Sequence, residues 1–327
     1  MSQLNSAAKA QRTVVERVRV DHLMGDREVP FSLYKKEAER RFAPFKRPGD
    51  LIKRDELDYL NAQGISTLYI NTVHRPLLDG YLCNNARCFV ASPETPIAVK
   101  SRYLYESSTQ VLKRFFQQPD QHECLHMVSD LAEIIMEMVL ADATAFHSLL
   151  QVSSHDYHTF SHSVDVMVYA VGLGKRLDFE PERLRKLAVG AILHDIGKSR
   201  IDTGIINKKG KLSDEEFKRM MEHSELGGQM LMLLDEQDPE IYATVVHHHE
   251  RYNGEGYPSK LKGEEIPLFA QIVGVSDVFA ALSTKRSYKD AFRTFEALRV
   301  MKEEMSGHFS PKLLKEFVQL MGREAAF

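Results

Sequence analysis

AILHDIGK, residues 191–198, ends an apolar segment with an adjacent imidazole and carboxylate, a glycine stop and a lysine. Upstream, Pro181 stands where a first-turn proline is tolerated, and apolar residues follow it at helical spacing. The pattern predicts a helix that ends at His194 and Asp195. Neighbouring residues on a helix point about 100° apart, yet at a helix end they can converge on one metal, or on two through a bridging carboxylate. An isolated His-Asp pair is more often an exposed surface pair without a function, so the surrounding residues must show whether this one binds a metal.

Other histidines accumulate around this pair, and most of the 14 in the chain lie between residues 155 and 249. His158 and His162 stand four residues apart on a predicted helix and share one face, a familiar spacing for metal ligands. Asp277 lies in an apolar, small-residue stretch, where an unpaired buried charge is costly and a metal would remove that cost. Single residues of this kind are usually satisfied core polar groups, but the set together favours a metal centre.

The order of these residues resembles the HD-GYP family over about residues 153–309. The matching motifs are His162-Ser163, HDIGK at 194–198, His223, HHE at 248–250, NGEGYP at 253–258 and Asp277. The resemblance implies an all-helical domain that hydrolyses cyclic di-GMP to pGpG, and in some members on to GMP. The related cyclic GMP-AMP phosphodiesterases, a non-catalytic cyclic di-GMP sensor and another HD-superfamily phosphohydrolase are the alternatives.

The resemblance also implies a set of metal ligands. One ion would be held by His162, His194, Asp195 and Asp277, and Asp195 would bridge to a second ion held by His223, His248 and His249. His158 stands where some members carry a glutamate that binds a third ion, so it is the candidate ligand for a trinuclear site.

Catalysis and substrate contact would fall to further residues by the same resemblance. Asp195 and Lys198 are the catalytic candidates, with Lys198 neutralising charge on the phosphate. Tyr257 would shape the entrance, and Arg286 and Lys289 would contact the phosphates or guanine edges of the substrate. Asn253 and Ser287 replace the more usual aspartate and proline, changes that concern loop shape and substrate preference.

The ligand types narrow the metal and the mechanism. Many imidazoles with few carboxylates and no thiolate disfavour magnesium and calcium and fit iron or manganese best. A hydroxide that bridges two ions roughly 3.5–4 Å apart could attack phosphorus. The same ions could neutralise the negative charge that develops on the phosphate oxygens.

The chain as a whole divides into three parts by pattern. Residues 1–100 mix strand and helix signals, with strands at 14–20, 30–34 and 66–70 and helices at 54–63 and 77–89, and are assigned to a small α/β domain of regulatory or sensory role. Residues 101–152 read as a helical linker broken at Pro119. Residues 153–327 form the HD-GYP-like domain. The predicted fold class is mainly α.

The linker carries an apolar stripe over residues 125–138 at helical spacing. This stripe either packs within the chain or forms the seam of a homodimer. The expected partners are the cyclic dinucleotide substrate and, as a further candidate, a diguanylate cyclase with a GGDEF domain.

Composition excludes several classes of protein. Of 327 residues, 43% are hydrophobic and 27% charged, and the net charge of −3 gives no reason to expect a DNA-coating protein. Three cysteines without a CxxC pair argue against a disulfide framework. Residues 1–11 are polar, and residues 131–150 are interrupted by charges, so neither a signal peptide nor a membrane span is predicted. The expected location is cytoplasmic.

Overall fold

The computed structural model describes residues 15–38, 41–142, 144–153, 159–208, 210–284 and 292–324. The chain divides into two compact units, Met1–Asn85 and Ala86–Phe327. The first unit is built on a sheet and the second is helical, which confirms the predicted fold class. The boundaries of the three functional domains proposed from sequence stay a prediction.

The first unit contains a four-stranded antiparallel sheet in the order β1-β6-β3-β4 and a separate pair, β2-β5. The strands are β1 (Val15–Arg19), β2 (Arg27–Glu28), β3 (Leu33–Ala38), β4 (Arg41–Lys46), β5 (Leu51–Ile52) and β6 (Thr67–Asn71). Alternate residues such as Leu68 and Ile70 are fully buried, as period-two patterning requires. Helix α1 (Arg54–Ala62) lies between β5 and β6 and agrees with the helix predicted at residues 54–63. Gly64, just beyond its end, adopts a φ of 69°.

Two strand predictions in this unit need correction. The strand predicted at residues 30–34 corresponds to β3, which begins at Leu33 and continues through a charged segment to Ala38. The strand at Arg41–Lys46 was not predicted, because Arg41, Pro44 and Lys46 dilute its apolar signal. Cross-strand pairing with β3 stabilises it in spite of that composition.

The predicted linker consists of three helices. After α2 (Arg75–Ala91) come α3 (Ile97–Gln117), α4 (His122–Ala141) and α5 (Ala145–Ser153). The break near Pro119 is confirmed. The apolar stripe of α4 is buried inside this unit, where α4 packs on α3 and α7. Intramolecular packing therefore accounts for the stripe, and a homodimer through these helices stays a prediction.

The remaining helices surround the candidate site. They are α6 (Thr159–Arg176), α7 (Pro181–Leu193), α8 (Thr203–Ile206), α9 (Asp214–Met221), α10 (His223–Leu233), α11 (Pro239–His247), α12 (Leu268–Ser283), α13 (Thr294–Glu303) and α14 (Pro311–Glu324). Ser213 and Glu216 form the predicted capping box at the start of α9.

Helices α6, α7, α11 and α12 form the core of this unit. Helix α6 packs on α7 and α12, and α11 packs on α7, α10 and α12. Their facing residues, including Val166, Leu187 and Val245, are fully buried. Within the described residues, no helix is long and apolar enough to cross a membrane. The core brings the ends of α7 and α11 together with the middle of α12.

Candidate metal centre and active site

Asp195 stands at the centre of the predicted ligands. It follows the end of α7 and is 1% exposed. Its Oδ1 lies 3.4 Å from Nε2 of His223 and 4.0 Å from Nε2 of His248. Its Oδ2 lies 3.5 Å from Nε2 of His194. Three imidazoles from three helix ends therefore point at one carboxylate.

A second polar contact joins α6 to α12. Nε2 of His162 lies 2.8 Å from Oδ1 of Asp277. The other oxygen of Asp277 lies 3.9 Å from Nδ1 of His249. His162 and Asp277, which are far apart in the sequence, thus lie side by side in the fold.

The ligand atoms form two groups that share Asp195. In each group all the candidate donor atoms lie within 4.8 Å of one another. One group contains His162, His194 and Asp195, and the other contains Asp195, His223, His248 and His249. Spacing of this kind allows one ion in each group with Asp195 between them.

Three of the imidazoles are oriented by backbone carbonyls. Nδ1 of His194 lies 2.7 Å from the carbonyl of Ala191, and Nδ1 of His248 lies 2.8 Å from that of Val245. Nδ1 of His223 lies 2.6 Å from the carbonyl of Met220. Each carbonyl belongs to the last turn of a helix. Because a carbonyl only accepts, the proton sits on Nδ1 and the Nε2 lone pair is left for a metal.

Two buried polar atoms of the centre lack a hydrogen-bond partner among the described residues. Among the described residues, Nε2 of His194 and Oδ1 of Asp195 are buried and make no hydrogen bond. Leaving such atoms unsatisfied costs about 1–3 kcal/mol each, and more for a charged group. Cations bound between them would satisfy both atoms, so the donor set fits a metal centre.

The electrostatics of the centre suit cation binding. Burial lowers the pKa of His223 to about 4 and that of His249 to about 3, and it lowers the pKa of His194 and of His248 as well. Burial opposes ionisation of Asp195, but Lys198 and the imidazoles outweigh it and hold the pKa of that carboxyl well below its usual value. Neutral imidazoles around an ionised carboxylate are ready to bind metal at neutral pH.

Lys198 lies one turn beyond the His-Asp pair, on a short 3-10 turn at Ile196–Arg200. Its Nζ is 2.5 Å from Oδ2 of Asp195. Gly197 between them packs against α10, and a side chain there would place its Cβ 1.9 Å from the carbonyl oxygen of His223. The glycine therefore allows the turn that carries Lys198 to approach the helix that carries His223.

A loop after α11 covers one side of the centre. Tyr257 in this loop packs over His249, with ring centroids 4.7 Å apart. Glu250 is buried, and its carboxylate accepts hydrogen bonds from the backbone N–H groups of Ser259 (2.6 Å) and Leu261 (3.1 Å). These hydrogen bonds fasten the loop, and Oε1 of Glu250 also lies 3.8 Å from Nδ1 of His247.

A cavity opens beside the centre. It is lined by His248, His249 and Asp277 on the side of the metal ligands, and by Arg251, Tyr252, Gln271, Phe309 and others on the far side. Tyr257 also lines it, and its role at the entrance stays a prediction. The sequence analysis did not identify Phe309 and its neighbours after α13 as part of the cavity, because that segment carries no motif.

Three predicted residues fall outside the described part of the chain. They are His158, the candidate third-metal ligand, and Arg286 and Lys289, the candidate substrate contacts. Their assignments stay predictions.

Comparison with known proteins identifies similar chains. The family described as HD domain matches residues 147–313. A cyclic di-GMP phosphodiesterase of Pseudomonas aeruginosa is 36% identical over 194 residues, which is 59% of this chain and 47% of that protein. A 3'3'-cGAMP-specific phosphodiesterase of Vibrio cholerae is 32% identical over 197 residues, which is 59% of this chain and 36% of that protein. The chain therefore matches less than half of the length of these curated relatives.

One solved structure resembles most of the chain. The HDG"Y"P protein Bd1817 of Bdellovibrio bacteriovorus superposes with a TM-score of 0.67, covering 94% of this chain and 100% of that one. The two sequences are 20% identical, so the likeness concerns the fold.

Proposed function

The chain belongs to the HD domain family and, within it, to the HD-GYP group, and on this premise we propose that it is a metal-dependent phosphodiesterase that hydrolyses cyclic di-GMP. The first product would be pGpG, and a second cleavage would give GMP. The observation that carries the proposal is the pair of ligand groups sharing the buried carboxylate of Asp195.

The proposed ligand assignment follows the two groups. His162, His194, Asp195 and Asp277 would hold one ion, and Asp195, His223, His248 and His249 would hold the other. Imidazole-rich sites without thiolates suit iron and manganese better than magnesium. When bound, two such ions supply Lewis acidity toward a phosphate and lower the pKa of water.

The protein's own groups would complete the site. Lys198, 2.5 Å from Asp195 and partly exposed, places an ammonium group where a phosphate would approach the ligand groups. Tyr257 limits access from the loop side, because its ring packs over His249. Predicted contacts from Arg286 and Lys289 remain part of this proposal, as do a third ion at His158, a homodimer, a GGDEF partner and a cytoplasmic location.

Asp195→Asn tests the assignment. This variant keeps the shape of the side chain but removes the charge shared by both groups. With protein loaded with Fe²⁺ or Mn²⁺ under reducing conditions, we expect metal content to fall by at least one ion per chain and turnover of cyclic di-GMP to fall at least 100-fold. Asp130→Asn, at an exposed position on α4, is the matched control and should retain both.

Unchanged turnover in Asp195→Asn would refute the site assignment. Tight binding of cyclic di-GMP by the metal-loaded wild type without turnover would favour a sensor over an enzyme. The similarity to a cGAMP-specific relative makes cyclic GMP-AMP the second candidate substrate. Relative kcat/KM values for the two cyclic dinucleotides decide between them.

A further inference from the structure

The cavity beside the centre has a volume of about 230 Å³ and shares His249 and Asp277 with the ligand groups. A ligand in the cavity would therefore touch the site where phosphate is expected to bind. Pockets that enclose a drug-sized ligand usually measure about 300–1,000 Å³. The smaller volume suits one part of a cyclic dinucleotide, such as a single base, with the phosphate left over the centre.

The far wall of the cavity is fixed by backbone hydrogen bonds. The N–H of Tyr252 donates to the carbonyl of His308 over 2.9 Å, and the N–H of Asn253 donates to that of Gly307 over 2.8 Å. Gly307 takes a φ of 85°, which a side chain would disfavour. These contacts hold the segment that follows α13 against the loop that follows α11. This wall of the cavity is therefore held in place by main-chain contacts.

Aromatic rings line the cavity. Tyr252, Tyr257 and Phe309 all border the cavity, and each is only partly exposed. Nucleobases stack on aromatic side chains with a gain of about 1–3 kcal/mol per base. The ring content favours a flat, aromatic part of a ligand over a sugar or a phosphate.

Two polar side chains border the same cavity. The amide nitrogen of Gln271 donates to the carbonyl of Ile266 over 2.9 Å, which orients the amide. Its oxygen and its second N–H remain for a ligand. Arg251 is exposed at the cavity and forms no ion pair with any residue in the described ranges. Its guanidinium therefore offers a fork of donors.

We propose that this cavity, which we call the base pocket, binds one guanine of the cyclic dinucleotide. Arg251 donates to O6 and N7 of guanine, the pairing by which arginine most often recognises this base, and Gln271 contacts its N–H edge. Adenine presents an amino group where guanine presents O6, so Arg251 would face a donor. The inference rests on the proposed function and adds the residues that select the base.

Arg251→Met tests the base pocket, with Arg299→Met as its control. Arg299 is an exposed arginine on α13 that does not line the cavity. The metal-loaded full chain is assayed with cyclic di-GMP, with cyclic di-AMP and with bis-p-nitrophenyl phosphate, a phosphodiester without a base. Binding of cyclic di-GMP is measured in parallel by calorimetry. Gln271→Leu is tested in the same way.

We expect Arg251→Met to raise both KM and Kd for cyclic di-GMP about 10-fold or more. Its hydrolysis of bis-p-nitrophenyl phosphate should stay within about twofold of wild type, and the preference over cyclic di-AMP should shrink. Arg299→Met should match wild type on every substrate. Equal losses on the base-free diester and on cyclic di-GMP, or an unchanged Kd, would overturn the base pocket.

The readouts separate this inference from the proposed function. If wild type hydrolyses cyclic di-GMP and Arg251→Met does so equally well, the base pocket is wrong and the function stands. If wild type binds cyclic di-GMP without turnover and Arg251→Met weakens that binding, the base pocket stands and the function is wrong. If wild type neither binds nor hydrolyses it, both are wrong.

Discussion

At the scale of single residues, the candidate ligands could be selected from the sequence because each stands in a motif, and their role as ligands stays a prediction. His194, His223 and His248 come together around Asp195, and His162 meets Asp277. The partners of their ring nitrogens were not predictable in the same way. Those partners are main-chain carbonyls, which every residue type carries, so no letter in the sequence marks them.

Glu250 provides the first prediction at this scale. Its two oxygens accept from the N–H groups of Ser259 and Leu261. Glu250→Gln turns one acceptor into a donor that faces a backbone donor, at a cost of about 1–3 kcal/mol. We expect faster hydrogen exchange across residues 253–263 and a several-fold higher KM for cyclic di-GMP, with metal content unchanged.

Glu225→Gln, on the exposed face of α10, is the control and should leave both properties as in wild type. If Glu250→Gln lost metal while the loop stayed as protected as before, Glu250 would act on a ligand and not on the loop.

At the scale of elements, sequence patterns predicted what depends on periodicity and on local stop signals. The end of α7 at His194, the box at Ser213 and the break near Pro119 are of this kind. Strand β4 escaped because its stability comes from pairing with β3 and not from its own composition. The close approach of the Ile196–Arg200 turn to α10 could not be predicted for a similar reason. In the sequence, Gly197 indicates only the end of a helix, and its contacts with α10 are visible only in the fold.

Gly197→Ala tests that close approach. The added Cβ would lie 1.9 Å from the carbonyl oxygen of His223 and 2.5 Å from the nitrogen of Gly227, both backbone atoms that cannot swing aside. Overpacking of this kind costs about 1–3 kcal/mol or more. We expect a lower unfolding midpoint in urea and weaker metal retention, because the turn and His223 must separate.

Gly322→Ala is the matched control. This glycine lies in α14, and a Cβ there meets nothing within 4 Å. Alanine has the higher helix propensity, so we expect this variant to be as stable as wild type or more stable by up to about 1 kcal/mol. Similar losses in the two variants would contradict the role given to Gly197.

At the scale of the whole molecule, composition and the order of motifs predicted the helical class and the small α/β part before it. The structure divides into compact units after residue 85, within α2, while the functional domain boundary at residue 100 stays a prediction. The cavity beside the centre was out of reach. Part of its lining comes from segments after α11 and α13, which are far apart in the sequence and are joined by backbone hydrogen bonds.

Acid should destabilise the metal-free protein through its buried imidazoles. Burial lowers the pKa of His194, His223, His248 and His249 in the folded state. The unfolded chain, with histidine near 6.5, then binds protons first as pH falls. Each imidazole therefore withdraws roughly 1.4 kcal/mol of stability per pH unit below about 6.5, until its folded-state pKa is reached, near 4 for His223.

Urea unfolding of chelator-treated protein, followed by circular dichroism of the helices from pH 7.5 to 4.5, measures this slope. His223→Gln should flatten it, and His122→Gln, at an exposed position on α4, should leave it as in wild type. Stability that is constant from pH 6.5 to 4.5 would show that these imidazoles are not buried in the neutral form.

The carbonyl partners of the three imidazoles have a consequence for how this centre tolerates mutation. Ala191, Met220 and Val245 can each be exchanged for another helix-forming residue of similar size, and the oxygen that fixes the imidazole remains. Only a change that unwinds the last turn of the helix would remove it. Substitutions at Ala191, Met220 and Val245 should therefore leave the tautomers of these histidines unchanged, whereas the histidines themselves cannot be replaced in this way.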